Sequence, residues 1–167
     1  MAILNSTPLI YLTKIGKLPK VIEYFNELVI SSKVYEEAVE KGLKLGKPEA
    51  EILKKYVSEG KIRVEKPKKM VRGVRGIHIG ELESISLAIQ RKDPIILDDK
   101  LAYEYSKLLK LNVIRTVKLL LILLKNKLID FSEFKRNLSS LSKSGFWLTS
   151  EIYEEAVRAA EELSSSH

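Results

Sequence analysis

The sequence predicts an α/β fold: a three-layer α/β/α sandwich around a mainly parallel central sheet, followed by C-terminal helices. Three observations carry this expectation. Short, continuously apolar runs such as Leu28-Val29-Ile30 and Ile95-Ile96-Leu97 alternate with segments of helical spacing, as in strands buried on both faces and joined through helices. Several of these runs end in a polar residue directly before a helix. The chain of 167 residues with 45% apolar content suffices for a single packed core. Residues 1–129 read as that core domain and residues 130–167 as a helical extension packed on it.

Ala2 to Leu4 is the first strand, delivering Asn5 to its carboxyl end. Thr7 followed by Pro8 starts a helix, because a hydroxyl caps it and proline is tolerated in the first turn; Leu9, Ile10, Leu12 and Ile15 give its apolar face and Gly16 its stop. Leu18–Phe25 forms a second helix and Leu28–Ile30 a second strand. Ser31 or Ser32 caps a helix that turns Val34, Tyr35, Ala38 and Val39 inward and carries Glu36, Glu37 and Glu40.

Gly42–Pro48 reads as a basic loop, Glu49–Glu59 as a helix stopped by Gly60, and Lys61–Glu65 as a strand near an edge. Lys66–Gly76 has no periodicity and carries Lys66, Lys68, Lys69, Arg72 and Arg75, the composition of a mobile loop.

The central unit is Gly80–Lys100, a helix opening with Glu81 and Glu83, a stop at Asp93-Pro94, the strand Ile95–Leu97, and the pair Asp98-Asp99 at its end. A helix over Lys100–Lys110, a strand over Asn112–Ile114 and helices over Thr116–Lys125, Asp130–Leu141 and Ser150–Leu163 complete the chain. Gly145-Phe146-Trp147-Leu148 interrupts the last two.

The chain has no cysteine and only two histidines, His78 and His167. That excludes disulfides, iron–sulfur clusters, cysteine nucleophiles and the usual zinc centres. A formal charge of +7 favours polyanionic partners such as RNA, although a lysine-rich surface also serves solubility alone. The N-terminus has no basic leader, and the apolar core Leu119–Leu124 is far shorter than the ~20 residues of a spanning helix. A soluble cytoplasmic protein with no membrane association is expected. The Leu119–Leu124 helix and Trp147 read as interface material for a homodimer, and Phe146 and Trp147 as core or interface residues in preference to a base-stacking platform.

Asn5, Glu37, Glu81 and the Asp98/Asp99 pair stand where strand ends or adjoining helices can aim them at one crevice, since ligands bind at the carboxyl ends of parallel strands. Convergent oxygen donors without histidine or cysteine suit Mg²⁺ or Mn²⁺, and such an ion in a basic protein suits phosphodiester hydrolysis. Each acid also has a structural reading. Glu81 and Glu83 favour a helix N-terminus, either aspartate can cap the following helix, and Glu36, Glu37 and Glu40 can form a solvated face. The aspartate pair on a parallel sheet also suits a phosphoryl-accepting module, but the order of elements departs from such a module's regular βα array. The basic loop is the candidate nucleic-acid contact, and His78 is a phosphate contact or a cap.

The segments ILNSTPLIYLTKIGKL, VISSKVYEEAVEKG, GELESISLAI and IILDDKLAYEYSKLL, in this order and spacing, resemble the PIN-domain family, most closely a VapC-like prokaryotic branch with an NTSPLI-type start. GFWLTSEIY resembles that branch's C-terminal helical region. The resemblance implies a metal-dependent endoribonuclease using Mg²⁺ or Mn²⁺, with Asn5, Glu37, Glu81 and Asp99 as metal ligands. Glu37, Glu81 and Asp99 would be catalytic, and Asp98 competes with Asp99. Ser6 or Thr7 matches the small hydroxyl residue near the site. In VapC-like toxins it further implies a small cognate antitoxin protein, a homodimer, and structured RNA as substrate. At the first-strand position, where active members carry aspartate, this chain has Asn5. A catalytically weak or inactive RNA-binding or scaffold module is the alternative.

Overall fold

The computed structural model describes residues 1–166. Five strands, β1 (Ala2–Leu4), β2 (Leu28–Ser31), β3 (Ile62–Glu65), β4 (Ile95–Ile96) and β5 (Val113–Ile114), form one parallel sheet in the order β3-β2-β1-β4-β5. The strands are short because they are buried on both faces: every residue of β1, β2, β4 and β5 is buried, and only edge strand β3 mixes exposed and buried positions.

Alternation along the strands separates two apolar layers. Ala2, Leu4, Leu28, Ile30, Ile96 and Ile114 face one cluster, packed by α1 (Ser6–Lys14), α2 (Leu18–Phe25), α5 (Pro48–Ser58), α8 (Thr116–Lys125), α9 (Phe131–Lys143) and α10 (Ser150–Ser165). Ile3, Val29, Ile95, Leu97 and Val113 face the other, packed by α6 (Ile79–Arg91) and α7 (Lys100–Leu108). The result is the three-layer α/β/α sandwich expected from the sequence.

After β2 the chain forms one continuous helical stretch in three parts: α3 (Ser32–Tyr35), a π-helical segment (Glu36–Glu40) and α4 (Lys41–Lys44). Ser31 is its cap, accepting from Val34 N at 3.0 Å. The stretch therefore runs into the region expected to be a basic loop, leaving only Leu45–Lys47 irregular. The first helix also begins earlier than Thr7: Ser6 is its first residue and Asn5 occupies the cap position, without a capping bond from its side chain.

Leu119, Leu120 and Leu123 are completely buried because α9 and α10 pack over α8. These residues are core, not exposed interface as the sequence suggested. Phe134, Leu138, Leu141, Ala156 and Ala160 join the same apolar cluster as the sheet. Among the described residues, no helix is long and apolar enough to cross a membrane.

Candidate active site

Because all strands are parallel, their carboxyl ends share one edge. From β1 the chain continues to neighbour β2 on one side, while β4 and β5 lie on the other. A crevice forms where the winding reverses in this way, and here it is flanked by Asn5 after β1 and Asp98-Asp99 after β4. Helix α6 brings its first turn, with Gly80 and Glu81, to the same edge.

Asn5 is only 5% exposed. The Ser84 hydroxyl lies 3.4 Å from Asn5 Oδ1 but only 2.9 Å from the Gly80 carbonyl. A hydroxyl has a single proton, and the shorter contact takes it. The buried amide oxygen is thus left without a good donor.

Glu37, on the π-helical segment, accepts a hydrogen bond from Ser6 Oγ at 2.7 Å. Its carboxylate also lies against Gly80: a Cβ added there would stand 3.1 Å from Oε1 and 3.2 Å from Oε2. Of the two hydroxyl residues the sequence left open, Ser6 is the one that meets Glu37, whereas Thr7 lies exposed on the lining of the cleft described below.

Glu81 is 9% exposed. Its Oε2 accepts from His78 N at 3.0 Å, closing the helix start as in a capping box. Burial pushes its carboxyl above the usual range, and the neighbouring charges of Asp99 and Glu37 push it further, against the opposing His78 N–H. His78 is accordingly the helix cap. Glu83, two residues on, is turned elsewhere and accepts from Lys33 N at 2.9 Å, while Glu36 pairs with Lys33 Nζ at 3.0 Å.

The aspartate pair divides its tasks. Asp98 accepts from Thr116 N at 2.9 Å and from Thr116 Oγ1 at 2.6 Å, tying the end of β4 to the start of α8. Burial raises its carboxyl, opposed by these two bonds and by the Arg115 charge. Asp99 is exposed and uses one oxygen, Oδ1, to cap α7 through Ala102 N at 2.9 Å.

Glu81, Asp98 and Asp99 line one cavity of about 610 Å³. Tyr11, Phe146 and Trp147 form an aromatic part of the same lining, together with Lys100 and Arg115. The sequence reading ranked these aromatics as core or interface ahead of a base-stacking platform; Trp147 is not core, being 84% exposed. The signal available was GFWLTS itself, a glycine-marked helix break carrying two aromatics.

The basic loop is not part of this cavity. Lys68 N donates to Gln90 Oε1, Val71 N to Ser86 Oγ, and Tyr105 OH to the Arg72 carbonyl. The loop is thus fastened along α6 and against α7 rather than free. Gln90 is nine residues beyond Glu81, about 14 Å along a helix, so Lys66, Lys68 and Lys69 belong to the far end and only Arg75 approaches the acids along the chain. The five cationic side chains are exposed.

Among the described residues, no three His, Cys, Asp or Glu side chains lie close enough together to hold a metal ion. Glu37, Glu81 and Asp99 are each held by a partner of their own, Ser6, the His78 N–H and the Ala102 N–H. The donor chemistry nevertheless fits a hard cation. All four candidate donors are oxygens, one is an under-bonded buried amide, and burial with the neighbouring charges of Asp99 and Glu37 raises the proton affinity of Glu81.

A family model described as DUF3368, PIN domain, matches residues 1–162. The chain belongs to the PIN-domain family. Among solved structures, it is similar to a PilT N-terminus domain protein from the hyperthermophilic archaeon Sulfolobus solfataricus P2. The two are 20% identical over 69% of this chain and 86% of the archaeal one, with a TM-score of 0.50, a likeness of fold. No curated protein matches the chain. PIN domains are generally nucleases dependent on divalent metal, and this PIN domain has that nuclease-like fold.

Proposed function

We propose that this PIN domain is a Mg²⁺- or Mn²⁺-dependent endoribonuclease acting in the cytoplasm as the toxin of a toxin–antitoxin pair. The observation that carries the nuclease reading is geometric: Asn5, the Ser6-bonded Glu37 and the buried Glu81 are gathered around the first turns of α6 at the carboxyl edge of the sheet, and burial with the nearby charges raises the Glu81 carboxyl. Such a site gains most from a cation that replaces the proton.

Asn5, Glu37, Glu81 and Asp99 would hold the ion. When bound, a divalent cation polarises a phosphoryl oxygen and lowers the pKa of water. The Ser6 hydroxyl orients Glu37, the His78 N–H orients Glu81, and Asp98 sets the direction of Asp99 by fastening the strand end to Thr116. Asp98 thus serves as a positioning residue. Lys100 and Arg115 supply positive charge for the phosphate backbone beside the acids; Arg75 would extend that surface, and Lys66, Lys68, Lys69 and Arg72 would meet only a longer RNA that leaves the cleft along α6.

The toxin role, the small antitoxin partner and the homodimer rest on resemblance to VapC-like proteins. The nuclease test compares purified protein with Mn²⁺ and a mixed RNA pool against an Asp99→Asn control. Cleavage by the wild type alone supports the reading; equal cleavage by both, or by neither, rejects it.

Asn5 favours a second reading, a binding module without catalysis. It predicts salt-dependent RNA binding that survives Asp99→Ala. Anomalous density for Mn²⁺ at the acids in a soaked crystal would argue strongly against it.

A further inference from the structure

Trp147 is the most exposed of the large apolar side chains, at 84%, yet its backbone is held on both sides. Helix α9 ends in a Schellman motif: Phe146 N donates to the Leu141 carbonyl at 3.0 Å and Gly145 N to that of Ser142 at 3.2 Å. Gly145 takes the left-handed φ of +99° that this cap requires. Two residues after Trp147, Thr149 Oγ1 caps α10 by accepting from Ile152 N at 3.2 Å. Phe146 packs edge-on against Tyr11, with ring centroids 5.3 Å apart at 78°. A large apolar ring is thus presented to solvent from a fixed backbone, next in sequence to a packed aromatic pair.

Tyr11, Phe146 and Trp147 line the same cavity as Glu81 and Asp99, and Lys100 and Arg115 stand in that lining too. Arg115 carries its guanidinium 4.2 Å from the Tyr103 ring centroid, and its buried Nε has no hydrogen-bond partner among the described residues. Acids, cations and an exposed aromatic in one cleft match the parts of a nucleotide: a phosphodiester to be cut, flanking phosphates, and a base with an open face.

We propose that Trp147, supported by Phe146 and Tyr11, stacks an unpaired base of a single-stranded nucleic acid segment whose phosphodiester lies at Glu81 and Asp99. The inference rests on the nuclease reading and adds to it a base-binding residue, Trp147. Only an unstacked base offers a free face to an aromatic ring, so single strands, loops and bulges are accepted and continuous duplex is not. An apolar protein segment would use the rings but not the adjacent cations.

Trp147 is the only tryptophan, so its emission reports on this lining alone. The Asp99→Asn protein, kept with EDTA so that nothing is cut, is titrated with an oligouridine 12-mer and with a 12-base-pair RNA duplex. Affinity is followed in parallel by anisotropy of labelled RNA. The single strand is expected to bind and quench the emission and the duplex to quench far less. Trp147→Ala should weaken single-strand binding by about tenfold, the order of one stacking contact, and Trp147→Phe should recover most of it.

Binding without a change in emission, unchanged affinity in Trp147→Ala, or equal quenching by duplex would each overturn the proposal and leave the nuclease reading standing. In the unchanged-affinity case the aromatic lining would be free for a protein partner. If wild-type protein with Mn²⁺ also cleaves nothing and binds no RNA, the nuclease reading falls and this inference with it.

Discussion

The Ser6 hydroxyl donates to Glu37 Oε2 at 2.7 Å, joining the first turn of α1 to a π-helical segment 31 residues away. π-Helical turns widen a helix locally and recur at functional sites; here the widened turn bears the acid. Ser6→Ala leaves Glu37 without this donor. It should cost about 1 kcal/mol of stability, read by denaturant unfolding, and lower cleavage more than that loss of folded protein accounts for, because Glu37 loses its orientation.

Gly80→Ala separates stability from function. Alanine improves helix propensity by roughly 0.5–1 kcal/mol over glycine, but its Cβ would press on both Glu37 oxygens at 3.1 and 3.2 Å. Glu37 is only partly buried and can retreat by a few tenths of an ångström. The expected result is unchanged or slightly raised thermal stability with weaker Mn²⁺ binding, measured by calorimetry. A large loss of stability would show instead that Glu37 cannot move.

Glu81 predicts a definite pH dependence. Its folded-state carboxyl is raised by burial and by Asp99 and Glu37, so folding favours the protonated form. Below the unfolded glutamate pKa the penalty is absent, and it grows as pH rises through the raised folded value. Glu81→Gln keeps an oxygen for the His78 N–H and removes the charge. Without divalent ions its melting temperature should therefore exceed that of the wild type at neutral pH and converge with it near pH 4. With Mn²⁺ the order should narrow or invert, because only the carboxylate gains from the cation.

The Asp98–Thr116 pair predicts opposite outcomes for two substitutions. Asp98→Ala strands the buried Thr116 N–H and hydroxyl and should cost about 1–3 kcal/mol. Asp98→Asn retains an acceptor for the N–H and drops a carboxylate whose ionisation burial disfavours. It should be near neutral or stabilising at pH 7, with activity largely kept. Loss of all cleavage in Asp98→Asn at full stability would assign the pair's chemistry to Asp98 rather than Asp99.

Elements with local signatures were legible in the sequence. β1, α2 and α8 occupy the residue spans expected from their apolar runs and breakers, and edge strand β3 shows the alternation of one half-covered face. Relations between distant elements were not. Glu81 and Glu83 differ by two helical positions, about 200° around the axis, and only the packing of α6 against α3 determines that Glu83 meets Lys33 N while Glu81 meets the acids. The π-helical segment was invisible because EEAVE is ordinary helical sequence. Of the core and interface roles read for Trp147, the core role is excluded, because a Schellman cap on one side and a helix cap on the other hold the residue outside.

Asn5 offers the most direct test of the site as a cation centre. It is buried at the end of β1 with an oxygen lacking a good donor, in the field of acids that already raise the Glu81 carboxyl. Asn5→Asp places another charge there without changing shape. In cation-free buffer at pH 7 the added like charge should lower the melting temperature by several degrees, since a buried unpaired carboxylate is costly. A divalent cation interacts with this extra charge directly, so Mn²⁺ affinity should rise by about one to two orders of magnitude. The Mn²⁺-induced gain in melting temperature should then be larger in the variant than in the wild type. Titrating both proteins with Mn²⁺ while following thermal unfolding measures the two effects together. An identical gain in both would place the cation away from Asn5, whereas a larger gain accompanied by faster RNA cleavage would show that asparagine holds this PIN domain below the activity its fold allows.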